Sequence, residues 1–586
     1  MGDPAVHPRW ARVASRSVLM NQTDIRIAEC LNQKTSFVLD AGAGSGKTRS
    51  LVTALQYAIE QLGVELGRRG QRAACITYTK VAKDEIIGRI KGSPLVTVST
   101  IHTFLWSVLS THQRALKRCV TKLNDALPAD SRRKRDATLL AEALPKVTIT
   151  YSETGSNYLE GRLFHDDVLD VAVLMVEDNP LLAQIIATQY PYILVDEYQD
   201  ASPDVVALLL DGVVARNPGR VVVGFFGDKM QHIYDSGVGK LSDAHLAKLV
   251  QIVKGDNFRC SVSVIQLLNR LRRDIQQTPA PDNAKVSGDA IYIRAQSADA
   301  DLMARVRAFV RDSRGWTSGV GSERELYLTH RLISRKGGYD TLLSVFDARG
   351  GFYRDRFLTG EEPRIAFFLE KVEPLAKAWE EGRHGAAVSI LRREGFALSA
   401  TQTKEATARA LDGLLTARKT RSVADVLRHV MDTNLLPVSD DLRDRLLGRT
   451  PPVADTDEAR EREAKEVAFY QGFLALRYAE VSAFAAFFEE HTPYSTQHGV
   501  KGAEFDTVFV VLDDPGARWN MYSFDKFLSG EDEAKNPKRL LKTRNIFYVC
   551  CSRAMRNLAI IDLGATTPKK SSTVAALFGA DHCFAL

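Results

Sequence analysis

At 586 residues the chain has room for about four domains of ~150 residues, and 45% hydrophobic with 26% charged residues is ordinary for a soluble globular protein. Its formal net charge of +6 suits nucleic acid without demonstrating it. Neither membrane spanning nor export is expected, because no apolar run reaches ~18 residues and the N-terminus, with Arg9, Arg12 and Arg16, lacks an apolar signal core. The seven cysteines show no zinc spacing, and their odd number and scatter predict reduced thiols in a cytoplasm.

Residues 1–17 read as a loose tail and Asn21–Asn32 as a helix. Gln22 fits either a glutamine that reads adenine edges, as in many nucleotide-driven motors, or a solvated helix residue. Phe37-Val38-Leu39 is a short apolar run that predicts a buried strand. It stops at Ala41-Gly42-Ala43-Gly44-Ser45-Gly46-Lys47-Thr48, then Arg49, and a helical pattern of Leu51, Val52, Leu55, Ala58 and Ile59 follows. This is the phosphate-loop spacing, with Ala41 in the first position in place of glycine. The glycines let backbone N–H groups turn inward on phosphate oxygens, and the next helix presents its positive end to the same anion. Lys47 can reach the β- and γ-phosphates, and the Thr48 hydroxyl can ligate Mg²⁺. Strand, glycine turn, Lys-Thr and helix coincide, so the chain is expected to bind a nucleoside triphosphate.

Two further strands, Ala73–Thr77 and Leu95–Val98, run into Tyr78-Thr79-Lys80 and Ser99-Thr100-Ile101-His102-Thr103-Phe104. Their hydroxyl, aromatic and imidazole groups suit phosphates and unstacked bases, although a lone His102 is equally a structural residue. Residues 105–185 read as a helical insertion whose basic stretch (Lys117, Arg118, then Arg132-Arg133-Lys134-Arg135) reads as a solvated face. Tyr192–Val195 predicts a buried strand ending in Asp196-Glu197-Tyr198-Gln199-Asp200. Adjacent carboxylates at a strand end suit triphosphate hydrolysis, one holding Mg²⁺ and the other taking a proton from the attacking water. Val221–Phe226 is another strand, and Gln231 just beyond it can sit against a γ-phosphate and report its loss.

After Asn257-Phe258-Arg259 a second unit begins. Strands near Ala290–Arg294 and Leu326–Leu328 precede a helical region at about 340–485, broken near Thr450-Pro451-Pro452. The unit resumes with Thr496-Gln497-His498, then Lys501-Gly502-Ala503-Glu504-Phe505 and strand Thr507–Leu512. It closes with Tyr548-Val549-Cys550-Cys551-Ser552-Arg553-Ala554 and strand Leu558–Ile561.

In this order the motifs resemble the UvrD/Rep-like superfamily 1 DNA helicases across about residues 20–562. The resemblance implies an α/β fold with two RecA-like parallel-sheet domains forming an ATP cleft, each with a mainly helical insertion. Residues 1–104 and 186–258 would form the first RecA-like domain and 105–185 its insertion. Residues 259–340 and 486–586 would form the second, and 341–485 its insertion. It also implies roles. Lys47 and Thr48 would serve the phosphates and Mg²⁺, Asp196 the metal, Glu197 the general base and Gln231 the γ-phosphate sensor. Phe258 would stack on adenine, Arg259 reach the γ-phosphate, Glu504 meet ribose or phosphate, and Arg553 act as an arginine finger once the two domains close. Tyr78, His102, Tyr234, Thr496 and His498 would face single-stranded DNA.

Departures qualify this pattern. Many relatives follow Gln-x-Ile-Tyr with a Trp-Arg pair, but Tyr234 is followed by Asp235-Ser236-Gly237, so one base-stacking platform is absent. A lost platform is worth ~1–3 kcal/mol per stacked base. With its compact size, the chain looks like the Gabija-type helicase subunits of anti-phage defence, which implies an OLD-like nuclease partner. Only 27 residues follow Ala559, too few for a fused nuclease domain. Two functions compete: a DNA-stimulated ATPase that steps 3′ to 5′ along single strands or from single/double-strand junctions, and a DNA- and nucleotide-sensing subunit that licenses a partner nuclease without processive unwinding.

Overall fold

The computed structural model describes residues 21–586 apart from 79, 130, 132, 153–154, 234–236, 297–300, 318–321, 396–403, 450–455, 490–491, 498 and 518–520. The expected tail at 1–17, the break at Thr450-Pro451-Pro452, and the expected DNA contacts Tyr234 and His498 lie outside the described residues. The fold is α/β, with two six-stranded sheets carrying helical insertions, as two RecA-like domains require. The chain divides into two compact units. One comprises the chain up to Ala290 with Lys526–Asn557 and Ser572–Ala580; the other comprises Ile291–Asp525, Leu558–Ser571 and Asp581–Leu586.

In the first unit, α1 (Gln22–Asn32) opens on Asn21, whose side chain accepts the Asp24 N–H at 2.8 Å and so satisfies an orphan donor. It leads to β1 (Phe37–Ala41) and α2 (Lys47–Gln61), which buries Leu51, Val52, Leu55 and Ala58 along one face. Strands β2 (Ala73–Thr77), β3 (Val96–Thr100), β4 (Tyr192–Val195), β5 (Val222–Gly227) and β6 (Val250–Lys254) complete a sheet of order β3-β2-β4-β5-β1-β6. All five neighbouring pairs are parallel. Strands β1, β2, β4 and β5 are buried along their whole length, which is why they read as unbroken apolar runs. Full burial of a residue such as Phe37, Val38 or Leu39 contributes about 1.5–3 kcal/mol. Parallel pairing also puts all C-terminal strand ends, and the loops that follow them, on one edge.

The insertion is helical as expected, built from α3 (Ile101–Leu109), α4 (Gln113–Ala126), α5 (His165–Asp178) and α6 (Pro180–Gln189), with the short strands Thr150–Tyr151 and Arg162–Leu163 between them. Its basic stretch is not simply a solvated face. Arg133 pairs at 2.8 Å with Asp167, which is fully buried and also accepts from the Tyr158 hydroxyl. Lys134 caps the Leu127 carbonyl. A carboxylate buried that deeply requires a cation and further donors; the stretch supplies the cation, and Tyr158 and the Phe164 N–H supply donors.

The second sheet consists of β7 (Asp289–Arg294), β8 (Glu323–Tyr327), β9 (Tyr494–Thr496), β10 (Phe505–Leu512), β11 (Ala554–Asp562) and β12 (Cys583–Ala585), in the order β9-β8-β10-β11-β7-β12. Strand β8 pairs in parallel with β9 and β10, and β7 with β12. Helices occupy the chain between β8 and β9 and enclose an aromatic core in which Phe357 stacks on both Phe346 and Phe484. Helix α7 (Pro537–Cys551) is wholly buried from Asn545 to Cys551 and packs in the first unit. All seven cysteines are free thiols, and no single described helix is long and apolar enough to cross a membrane.

Candidate active site

The phosphate loop leaves the C-terminal end of β1. Gly44 (φ 74°) and Gly46 (φ 73°) take left-handed conformations, and Gly46 caps α2. At Gly44 a Cβ would fall 2.8 Å from the Arg259 Cβ and 2.9 Å from the Asn257 Oδ1, so both backbone angle and space require glycine. The Asn257 and Gln277 amides donate to the Ala43 carbonyl at 2.9 and 2.8 Å, and the Phe258 N–H donates to the Gly44 carbonyl at 2.9 Å. Held on its outer side in this way, the loop is a rigid cradle. Ala41, Gly42 and Ala43 are buried; Ser45 is 1% exposed, yet its hydroxyl has no hydrogen-bond partner among the described residues. A buried hydroxyl of that kind, beside the α2 N-terminus, fits an anion such as a phosphate oxygen.

Asp196 and Glu197 follow β4 on the same edge. Asp196 is buried and its N–H donates to the Ile76 carbonyl of β2 at 2.8 Å. Glu197 takes a left-handed backbone (φ 49°), a conformation that costs a non-glycine residue about 1–3 kcal/mol. The turn aims its carboxylate at Lys47, with Oε2 and Nζ 2.6 Å apart. Burial opposes the Lys47 charge, but Glu197, Asp196 and Asp228 outweigh it and raise the ammonium's pKa. Lys47 therefore stays cationic at neutral pH. Gln199 donates from its amide nitrogen to Glu197 and accepts the Asp228 N–H at 3.2 Å, linking this turn to the one after β5. There the Gln231 amide donates to Asp228 at 3.0 Å. Asp40, the residue before the loop's Ala41, accepts from the Tyr198 hydroxyl at 2.6 Å and pairs with Lys229 at 2.5 Å. One carboxylate thus ties the ends of β1, β4 and β5 together.

Near this centre the structure brings Phe258, Arg259 and Arg553. The Phe258 ring is 44% exposed beside the loop, an apolar face open to a base. Arg259 donates to the Ser552 carbonyl at 3.3 Å. Arg553 is 1% exposed and donates to the Val549 carbonyl at 3.0 Å and the Ser552 hydroxyl at 2.8 Å. Burial, then the Arg259 charge, lowers its pKa to about 10, while Glu197 pulls the other way. Thr48 is half-buried at the start of α2; Arg49 and Gln22 are exposed. Glu504 and Thr496 belong to the second unit, where Glu504 is exposed and the Thr496 hydroxyl accepts the Gly499 N–H at 2.9 Å.

Of the expected DNA contacts in the first unit, Tyr78 is half-buried after β2 and its buried hydroxyl has no hydrogen-bond partner among the described residues. In Ile101–Phe104, Ile101 and Phe104 point into the core, while the His102 ring lies tilted against that of His165, with centroids 4.7 Å apart. Burial, then the neighbouring His165, lowers the His102 pKa, with Asp166 opposing. The unfolded chain therefore takes up a proton that the folded one resists, so stability falls as pH drops below ~6.5 through the lowered value. Melting temperature followed from pH 7.5 to 5.5 should decline less steeply for His102→Gln than for the parent; parallel curves would show that His102 contributes nothing to acid sensitivity.

Sequence reasoning missed several groups. Asp40 and Asn257 adjoin the motifs and were open to view. Tyr548 opens the Arg553 motif but was given no role, and Gln277 and Arg272 carry no local signal, because only the fold brings them to the loop.

An AAA-domain profile matches residues 24–237, a span that holds the phosphate loop, the Asp-Glu pair and Gln231. The Gabija protein GajB of Bacillus cereus (strain HuB5-5) is 23% identical, over 95% of this chain and 97% of its own length. A probable DNA helicase II homolog of Mycoplasma capricolum is 24% identical, over 42% of this chain and 40% of its own length. Fold, motif order and these matches support one class, the UvrD-like, superfamily 1 helicase-type enzymes that use ATP. Within that class, the chain is similar to GajB along nearly its whole length.

Proposed function

We propose that this protein is a cytoplasmic, DNA-stimulated ATPase that steps along single-stranded DNA, 3′ to 5′, within an anti-phage assembly of the Gabija type. The observation that carries the proposal is the Lys47–Glu197 pair at the mouth of the phosphate loop, 2.6 Å apart. A γ-phosphate oxygen competing for Lys47 frees the Glu197 carboxylate, which then takes the proton of the attacking water. Gln231, held by Asp228, reports loss of the γ-phosphate, and Arg553 stabilises the charge that develops on transfer. Thr48 and Asp196 would hold Mg²⁺, which supplies charge neutralisation between the β- and γ-phosphates. Phe258 takes the adenine face, with Gln22 and Arg49 at the same end and Glu504 supplied by the second RecA-like domain. The domain boundaries implied by the motifs belong to this reading, as does an OLD-like nuclease partner that would do any cutting.

Tyr78, His102, Tyr234, Thr496 and His498 would carry the strand. Binding should favour single strands or single/double-strand junctions, and should weaken about tenfold or more between ~50 and ~200 mM salt as counterions are released. Tyr78→Ala should weaken DNA binding with little change in nucleotide affinity, read beside the melting temperature because the ring also packs on the core. Translocation and DNA-stimulated ATP turnover measured on the same chain test the whole reading. Turnover with no movement would favour the sensing subunit, and salt-insensitive binding to blunt duplex would refute strand tracking.

A further inference from the structure

Arg272 is among the largest fully buried side chains of the protein, and its guanidinium is shared among three partners. It pairs with Asp228 at 3.2 Å and with Asp274 at 2.9 Å, and donates to the Tyr548 hydroxyl at 2.8 Å. Tyr548, on α7, is also fully buried, and its hydroxyl accepts the Ala43 N–H of the phosphate loop at 3.1 Å. A phenol has two acceptor sites and one proton. Ala43 and Arg272 fill both acceptor sites, and the proton points to Asp228 Oδ2 at 3.5 Å. Asp228 in turn holds Gln231 and, through Gln199, reaches Glu197. Five residues beyond Tyr548, the same chain segment carries Arg553.

We infer that Arg272 and Tyr548 form a buried relay that positions the phosphate loop, the Gln231 turn and the Arg553 segment in one register for hydrolysis. The inference rests on the ATPase reading and adds two positioning residues to it. The printed contacts of Arg272 and Tyr548 run to Ala43, Asp228 and Asp274 and to each other, not to Lys47 or the Ser45 hydroxyl, so their role is to place the loop and not to hold the nucleotide. They are needed for sensor, base and finger to be placed at once. An ion pair serving only the core would have no reason to engage a backbone donor of the phosphate loop through a phenol.

Tyr548→Phe removes only the hydroxyl, and keeps the ring lying 5.3 Å from the Arg272 guanidinium. In steady-state hydrolysis by the full chain without DNA, we expect KM for ATP to stay within about threefold of the parent while kcat falls about tenfold or more. Arg272→Lys should act in the same direction, and the double variant should be no slower than the slower single one, as for two members of one relay. An unchanged kcat, losses that multiply in the double variant, or a lower melting temperature with normal turnover per folded molecule would each overturn the relay. Should Arg272→Lys not fold, the KM–kcat split of Tyr548→Phe decides alone. DNA stimulation of the parent is read on the same preparation: its absence refutes the translocase and leaves the relay to basal turnover, whereas a parent with no hydrolysis refutes both.

Discussion

Glu197→Gln is expected to bind ATP as tightly as the parent and to hydrolyse it about 10²–10⁴-fold more slowly, the usual worth of a positioned general base. The substitution keeps the shape and the Gln199 contact but removes the carboxylate that can accept water's proton. It also removes the anion 2.6 Å from Lys47, so affinity for the triphosphate should hold or rise. Lys47→Ala makes the opposite separation, because the phosphates lose a cation that Glu197, Asp196 and Asp228 together keep protonated. There the loss should appear first in binding. Equilibrium binding of a fluorescent ATP analogue, together with single-turnover hydrolysis, distinguishes the two. Near-normal turnover in Glu197→Gln would mean that another group is the base.

What was legible in the sequence follows from how locally each feature is determined. Strands β1, β2, β4 and β5 were readable because strands buried on both faces are mostly apolar, whereas the edge strand β6, part exposed, gave no such run and was not expected. The phosphate loop was readable because its conformation needs glycine at Gly44 and Gly46, within a few residues of Lys47. Glu197 was readable as chemistry, but its left-handed turn and its pairing with Lys47 depend on β4 and β1 ending at the same edge. The basic stretch at 132–135 misled because exposure was inferred from charge alone; Arg133 instead serves buried Asp167. Arg272 lay beyond reach for the opposite reason. In Leu271-Arg272-Arg273-Asp274 the first arginine is fully buried and the second exposed, and only contacts with Asp228 and Tyr548 distinguish them.

The other large effect is expected at Arg553. Its pKa, lowered to about 10 by burial and then by Arg259, still leaves the guanidinium charged at neutral pH. A lysine starts from an ordinary value of ~10.4, against more than 12 for arginine, so the same burial would bring its titration closer to neutrality. Arg553→Lys therefore loses two things: the planar set of donors that now bonds Val549 and Ser552, and the certainty of a charge near Glu197. We expect ATP-dependent thermal stabilisation to persist while DNA-stimulated turnover falls about a hundredfold or more, short of the ~10³–10⁵ credited to complete loss of such an arginine. The pH profile adds a signature that packing alone would not produce. Residual turnover of Arg553→Lys should decline between pH 7 and 9 as the lysine sheds its proton, while the parent's stays level over the same interval. A variant with a lower melting temperature but parental turnover per folded molecule, and a parental pH profile, would make Arg553 a structural cation and remove it from the chemistry.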